Sequence, residues 1–207
     1  MIHMDSKAQV SIISAILIVV LALGLTSAAL TWGLPLIRKR QDETLIKRIG
    51  SYFDQDNPSS LPRKIEFIAE VGRGEETFSL DKGGLWILNE TGNWIQFMFF
   101  SRATDIAADD WVSLTTPKAK AECPPPSGDL GIDKVSVICA KAELFSDGYN
   151  IYYRVWYRPL NESEGRSFKI NLTATGVTSS TTKKVGISFG ETIQEDNNIT
   201  TKIEITL

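Results

Sequence analysis

The chain has 207 residues, with 22 basic and 25 acidic side chains and a formal net charge of −3. So mildly acidic a balance lacks the electrostatic footprint of a nucleic-acid binder, and no nucleic-acid partner is expected. The one histidine is His3, which leaves imidazole-based triads and His-ligated sites almost without material. Enzyme activity, a cofactor and a metal centre are therefore not expected.

Residues Ala8 to Ile37 carry no charge; Lys7 precedes them and Arg38, Lys39 and Arg40 follow. As a helix, these thirty residues would span about 45 Å, against about 30 Å for a hydrocarbon core. The stretch is too long for a secretory h-region. Ser27-Ala28-Ala29 offers the small residues of a secretory cleavage site, but Leu30 to Ile37 stays apolar beyond it. Small residues recur four apart, at Ser11 and Ala15, Ala22 and Thr26, Gly24 and Ala28, and Ala29 and Gly33. That spacing suits close helix approach in an apolar medium. Gly33 and Pro35 predict a kink near Trp32, since proline removes a donor and clashes with the preceding turn. From Arg38 to Phe53, Leu45, Ile46, Ile49 and Phe53 recur at spacings of three and four, an amphipathic continuation that Gly50 and "DQDNPSS" end.

Beyond a linker at 55–62, residues 63–207 read as a β-rich head. "KIEFIAEV" alternates, placing Ile65, Phe67, Ala69 and Val71 on one strand face. "TFSLD" and "LWILN" flank Lys82-Gly83-Gly84 as a predicted hairpin, and Thr91-Gly92-Asn93 turns into "WIQFMFF", an apolar central strand. The strongest turn signal is Ser146-Asp147-Gly148, between "KVSVICAKAELF" and "YNIYYRVWYRPL". In the second of these, Ile151, Tyr153, Val155 and Tyr157 share a face opposite Tyr152, Arg154, Trp156 and Arg158, and Pro159 ends the strand. "SFKINLTAT", "KKVGISFG" and "TTKIEITL" add further strands. The expected class is α+β: a long N-terminal hydrophobic helix, then an all-β sandwich or open barrel of eight to ten short strands.

Cys123 and Cys139 fit a structural disulfide in an exported head. Four N-x-S/T sequons begin at Asn89, Asn161, Asn171 and Asn198, the third inside a predicted strand. Read literally, the basic trio after the span would keep the head in the cytoplasm; the paired cysteines, sequons and Thr-rich strands argue for an outside location. Asp105, Asp109 and Asp110 match no recognised cation loop and read as a solvated acidic turn. The Tyr/Trp/Arg run from Tyr149 to Arg158 reads first as core and cross-strand packing, with a sugar-stacking or adhesive face as the alternative.

"SKA" followed by "QVSIISAILIVVLALGL" resembles the class III signal of archaeal type IV pilins and archaellins. The resemblance covers residues 6 to 43. It implies a leader at 1–8 cut between Ala8 and Gln9 by a leader peptidase of the prepilin type, with Lys7 and Ala8 at the recognition positions. It implies an assembly helix with its continuation at 9–54, held in the membrane before assembly and then packed in a helical filament with other pilins. Ile13 stands where many archaeal pilins carry Glu; archaellins also lack that acid. The implied function is a major or minor subunit of a pilus-like surface filament, with the head free for surface or glycan contact. The alternative is a single-pass anchored extracellular β-domain, a binding or adhesion module that never polymerises.

Overall fold

The computed structural model of the chain describes residues 6–106, 108–115, 122–163 and 165–207, with side chains from residue 14 onward. The chain divides into two compact units, one ending at Asp42 and the other Glu43–Leu207. One helix, α1 (Ser6–Ser51), supplies the first unit and enters the second, running through Gly33 and Pro35 as a single element. The class is α+β, an apolar N-terminal helix followed by a β-rich head of two sheets.

Within the head, the last turns of α1 bury Ile46 and Ile49, and Phe53 follows in the turn beyond. Phe53 stacks on Tyr153 with ring centres 5.0 Å apart and planes 7° off parallel, and also meets Trp86 and Phe97. Burying such a ring contributes roughly 2–3 kcal/mol. Residues 52–60 form a tight turn, in which Gln55 donates to Ser136 Oγ at 2.9 Å and Ser60 is fully buried.

A second helix, α2 (Leu61–Val71), occupies the segment whose alternation predicts a strand. Ser60 caps its N-terminus, Pro62 lies in its first turn and Gly72 closes it in the left-handed conformation at φ 68°. Leu61, Ile65 and Ile68 are buried while Phe67 is exposed. The apolar period is helical, and the alternating set 65, 67, 69, 71 is split between faces. These cap residues set the outcome against a β-like composition.

Twelve strands follow among the described residues: β1 (Glu75–Ser79), β2 (Leu85–Asn89), β3 (Trp94–Ser101), β4 (Val112–Ser113), β5 (Gly128–Asp129), β6 (Ser136–Phe145), β7 (Gly148–Tyr157), β8 (Leu160–Asn161), β9 (Ser167–Ala174), β10 (Ser179–Ser180), β11 (Lys184–Glu195) and β12 (Asn198–Thr206). One sheet has the order β1-β11-β12-β9-β8-β5, the other β10-β2-β3-β7-β6-β4. Most pairs are antiparallel, but β12 and β9 run parallel, with Asn198 opposite Ser167, as do β5 and β8.

The predicted hairpin across Lys82-Gly83-Gly84 does not form. β1 pairs with β11 in one sheet, whereas β2 pairs with β3 and β10 in the other. Gly84 is needed for close packing: a Cβ there would fall 2.3 Å from the Met98 carbonyl oxygen and 2.5 Å from the Phe97 ring. The turn after Asn89 and the Ser146-Asp147-Gly148 turn do join hairpins, β2–β3 and β6–β7, and β3 is central as its apolar run predicts. Inward residues of both sheets, among them Phe78, Trp86, Phe97, Tyr153, Leu172, Val185 and Ile203, share one core with α1's last turns and α2.

The sheets are also joined by hydrogen bonds. Among the described residues, β8 covers only the first residues of β9 and no strand pairs with the rest of that edge. Side chains from the β2–β3 turn take its place. Asn93 Nδ2 donates to the carbonyls of Ile170 and Tyr157 at 2.7 Å each, and Asn93 Oδ1 accepts from Leu172 N at 2.9 Å. Glu90 Oε1 accepts from Ala174 N at 2.9 Å. Asn93 is buried and holds φ 53°, a left-handed conformation that asparagine tolerates better than most residues.

Candidate membrane or assembly helix

The first unit places its apolar side chains in the open. Ile16, Leu17, Val20, Leu21, Leu23, Leu25, Leu30, Leu36 and Ile37 are all exposed, and Trp32 is 82 % exposed. From Ser14 the helix is long and apolar enough to cross a membrane. Exposing so much apolar surface to water is unfavourable by about 25 cal/mol per Å², so the segment calls for lipid or protein around it.

Two details fit it for such a medium. Thr26 Oγ1 donates to the Ala22 carbonyl at 2.8 Å and Thr31 Oγ1 to the Ser27 carbonyl at 2.7 Å. These hydroxyls meet their hydrogen-bonding needs within the helix and can leave water at little cost. A Cβ added at Gly24 or Gly33 would meet nothing within 4 Å. Glycine inside a helix costs about 1 kcal/mol relative to alanine, and no contact among the described residues calls for it at either position.

Lys7, Ala8 and Gln9, where the resemblance implies processing, fall on the first turns of α1; Met1 to Asp5 lie outside the described residues. Gly33 and Pro35 lie inside α1. Cys123 and Cys139 are joined as a disulfide, with Cα atoms 6.3 Å apart. Asn89, Asn161 and Asn198 are exposed at strand ends. Asn171 lies mid-strand on β9, half-buried on the face opposite buried Ile170 and Leu172. Asp105, Asp109 and Asp110 form no metal-holding group, and none of three or more potential ligands occurs among the described residues.

The aromatic run on β7 divides as its alternation predicts. Ile151, Tyr153, Val155 and Tyr157 enter the core, and burial raises the pKa of both Tyr153 and Tyr157. On the opposite face, the Arg154 guanidinium lies 4.0, 4.3 and 4.7 Å from the ring centres of Trp94, Trp111 and Trp156. Two of its nitrogens donate to Gln96 Oε1, at 2.9 and 2.6 Å. Burial lowers its pKa to about 10. Beside it, burial and a 2.8 Å bond to Glu143 raise Tyr152 to about 12, while hydrogen bonds from Lys141 and Tyr152 lower Glu143. The cation among these rings is therefore the chain's own. Trp94 and Trp111 lie outside the predicted ladder, and alternation along β7 alone gives no signal for them.

Arg158 reaches instead toward the loop closed by the disulfide. Its Nε donates to the Lys134 carbonyl at 2.9 Å, and its guanidinium lies 3.6 Å from Asp133, the two side chains being 3 % and 5 % exposed. Together with the disulfide, this pair ties the loop to the end of β7. Comparison with known proteins adds no constraint: no family model matches the chain, and no curated protein or solved structure shows a significant match to it.

Proposed function

We propose that the chain is a structural subunit of an archaeal type IV pilus-like surface filament, processed between Ala8 and Gln9 and polymerising through α1. The observation that carries this reading is that a single helix both exposes an uncharged apolar surface and contributes Ile46 and Ile49 to the head's core. A plain anchor needs no such continuity, because a loop would tether the head equally well. A helix that must leave lipid and bring its head to a fixed place in a bundle does need it. Gly24 and Gly33, where an added Cβ would meet nothing within 4 Å, and the internally bonded Thr26 and Thr31 support the same reading, since both suit close packing away from water. Before assembly α1 is held in the membrane with the disulfide-bonded head outside; afterwards it packs against other copies by a repeated, non-closing contact. The sequons at Asn89, Asn161 and Asn198 offer exposed glycan positions.

The test is to shear filaments from cells making the chain with Lys7 intact or replaced, as Lys7→Glu. Recovery of the chain in filaments, lost in the variant, is the expected result. Recovery only in detergent-extracted membranes, with or without Lys7, would contradict polymerisation and favour the anchored binding module.

A further inference from the structure

Three elements bring a hydroxyl, a carboxylate and a carboxamide together inside the head. Ser136 begins β6 opposite Tyr157 and is fully buried; Gln55, in the turn beyond α1, is 8 % exposed. Glu66 lies on α2 with its side chain 12 % exposed. Ser136 Oγ donates to Glu66 Oε1 at 2.5 Å, within the range of a hydroxyl on a carboxylate. The same oxygen accepts from Gln55 Nε2 at 2.9 Å, and Nε2 also donates to the Ser136 carbonyl. That second bond settles which end of the amide is nitrogen. Arg63 pairs with the other carboxylate oxygen, Glu66 Oε2, at 2.9 Å, which leaves Oε1 to the hydroxyl.

A serine hydroxyl is a weak nucleophile until a neighbouring base takes its proton. Here a carboxylate holds that proton while an acyl carbon stands beside the oxygen. Gln55 Cδ is one C–N bond, about 1.33 Å, beyond Nε2, so it lies within roughly 4.2 Å of Ser136 Oγ. The terminal torsion of glutamine is broad. Rotation about it, with a closing shift of about 1 Å or less, turns the carbonyl face to Oγ at the roughly 3–3.5 Å of a reactive pair.

We propose that Ser136 Oγ attacks the side-chain carbonyl carbon of Gln55, with Glu66 as general base, to form an internal ester cross-link between the turn after α1 and β6. The Oγ–Cδ bond forms as the hydroxyl proton passes to Glu66 Oε1. The Cδ–Nε2 bond then breaks, and that proton leaves with the nitrogen as ammonia. Nothing is oxidised or reduced, and no co-reactant is needed. Gln55 also lines a cavity of about 430 Å³ with Asp54, Leu114 and Ile138, through which ammonia can depart. Burial of Gln55 and Ser136 keeps water from the ester. The product joins residues 81 positions apart, so tension on the end of α1 would pass into the sheet through a covalent bond. The chemistry does not depend on the filament reading.

The experiment is a tryptic digest of the full chain, purified in detergent, reduced and alkylated, and read by mass spectrometry. Cleavage after Arg48, Arg63, Lys134 and Lys141 puts Gln55 in a peptide of residues 49–63 and Ser136 in one of residues 135–141. The expected result is that most molecules give these two peptides joined, one ammonia lighter than their sum, and that hydroxylamine separates them. Peptides are read rather than intact mass because an N-terminal glutamine also loses ammonia. Separate peptides alone from the wild-type chain would overturn the ester, whatever the variants do. Ser136→Ala should give no joined peptide, and persistence of the joined pair there would overturn the assignment. Glu66→Gln should lower the joined fraction at least about tenfold; an undiminished fraction would overturn the role given to Glu66.

Discussion

Replacing Asn93 tests how the two sheets are held together. Its side chain makes three hydrogen bonds, to Tyr157, Ile170 and Leu172, from a position 7 % exposed. In Asn93→Ala the Leu172 N–H loses its acceptor and two carbonyls lose a donor. One buried unsatisfied group costs about 1–3 kcal/mol, and the carbonyls add a smaller amount. A left-handed conformation for alanine adds about 1 kcal/mol, so the expected loss is roughly 3–5 kcal/mol. In Asn93→Gly the conformational cost disappears while the hydrogen bonds remain lost, and the expected loss is about 1 kcal/mol less. Asn93→Asp keeps an acceptor for Leu172 but turns a carboxylate oxygen toward two carbonyls, and should be at least as damaging as alanine at neutral pH. Urea unfolding of the full chain in detergent, followed by near-ultraviolet circular dichroism, reads all three. If Asn93→Gly lies within about 0.5 kcal/mol of wild type, an ordinary surface effect, the side-chain bonds do not hold the sheets and the argument fails.

Reduction of the Cys123–Cys139 bridge, which closes a separation of 16 residues, should cost about 3 kcal/mol and lower the melting temperature by roughly 10 °C; an unchanged melting temperature with both thiols shown free would refute this. Asp133→Ala leaves the Arg158 guanidinium buried without its carboxylate and should cost about 3–5 kcal/mol; a loss below about 1 kcal/mol in the same urea assay would show that the backbone carbonyls suffice. Stability should also fall steeply in alkali. Tyr152, Tyr153 and Tyr157 are all raised above the ordinary 10.0, Tyr152 to about 12. Above pH 10 the folded chain therefore binds more protons than the unfolded one and loses stability as pH rises. Arg154, lowered by burial to about 10, acts in the opposite direction over that interval, but one group is set against three. A urea midpoint that stays flat from about pH 10 to about pH 11.5 would contradict the burial of these tyrosines.

The helix, the central strand β3 and the β6–β7 hairpin were legible because each follows one dominant local rule: absence of charge, continuous apolarity, or alternation about Asp147-Gly148. The face assignment along β7 followed from alternation alone. The misread segments carried competing signals. In 61–71, Ile65, Phe67, Ala69 and Val71 alternate, yet Ser60, Pro62 and Gly72 are helix-boundary residues, and Leu61, Ile65 and Ile68 give the helical face that the core uses. Lys82-Gly83-Gly84 has hairpin composition, but Gly84 is required by Met98 and Phe97, contacts made across the fold. The gathering of Trp94, Trp111 and Trp156 around Arg154 joins residues up to 62 positions apart, and no local spacing encodes it. Asn93 likewise looks like an ordinary turn residue until β9, some 80 positions on, is placed beside it.

The most direct test of the central claim is the intact mass and N-terminal sequence of the chain purified from native membrane or surface filaments. The account predicts a start at Gln9, with α1 retained and the mass otherwise complete apart from glycans on the sequons and the ammonia lost at the proposed ester. A start at Met1 or Met4 would contradict it in favour of a plain anchor, and a start at Leu30 would contradict it in favour of a secreted head.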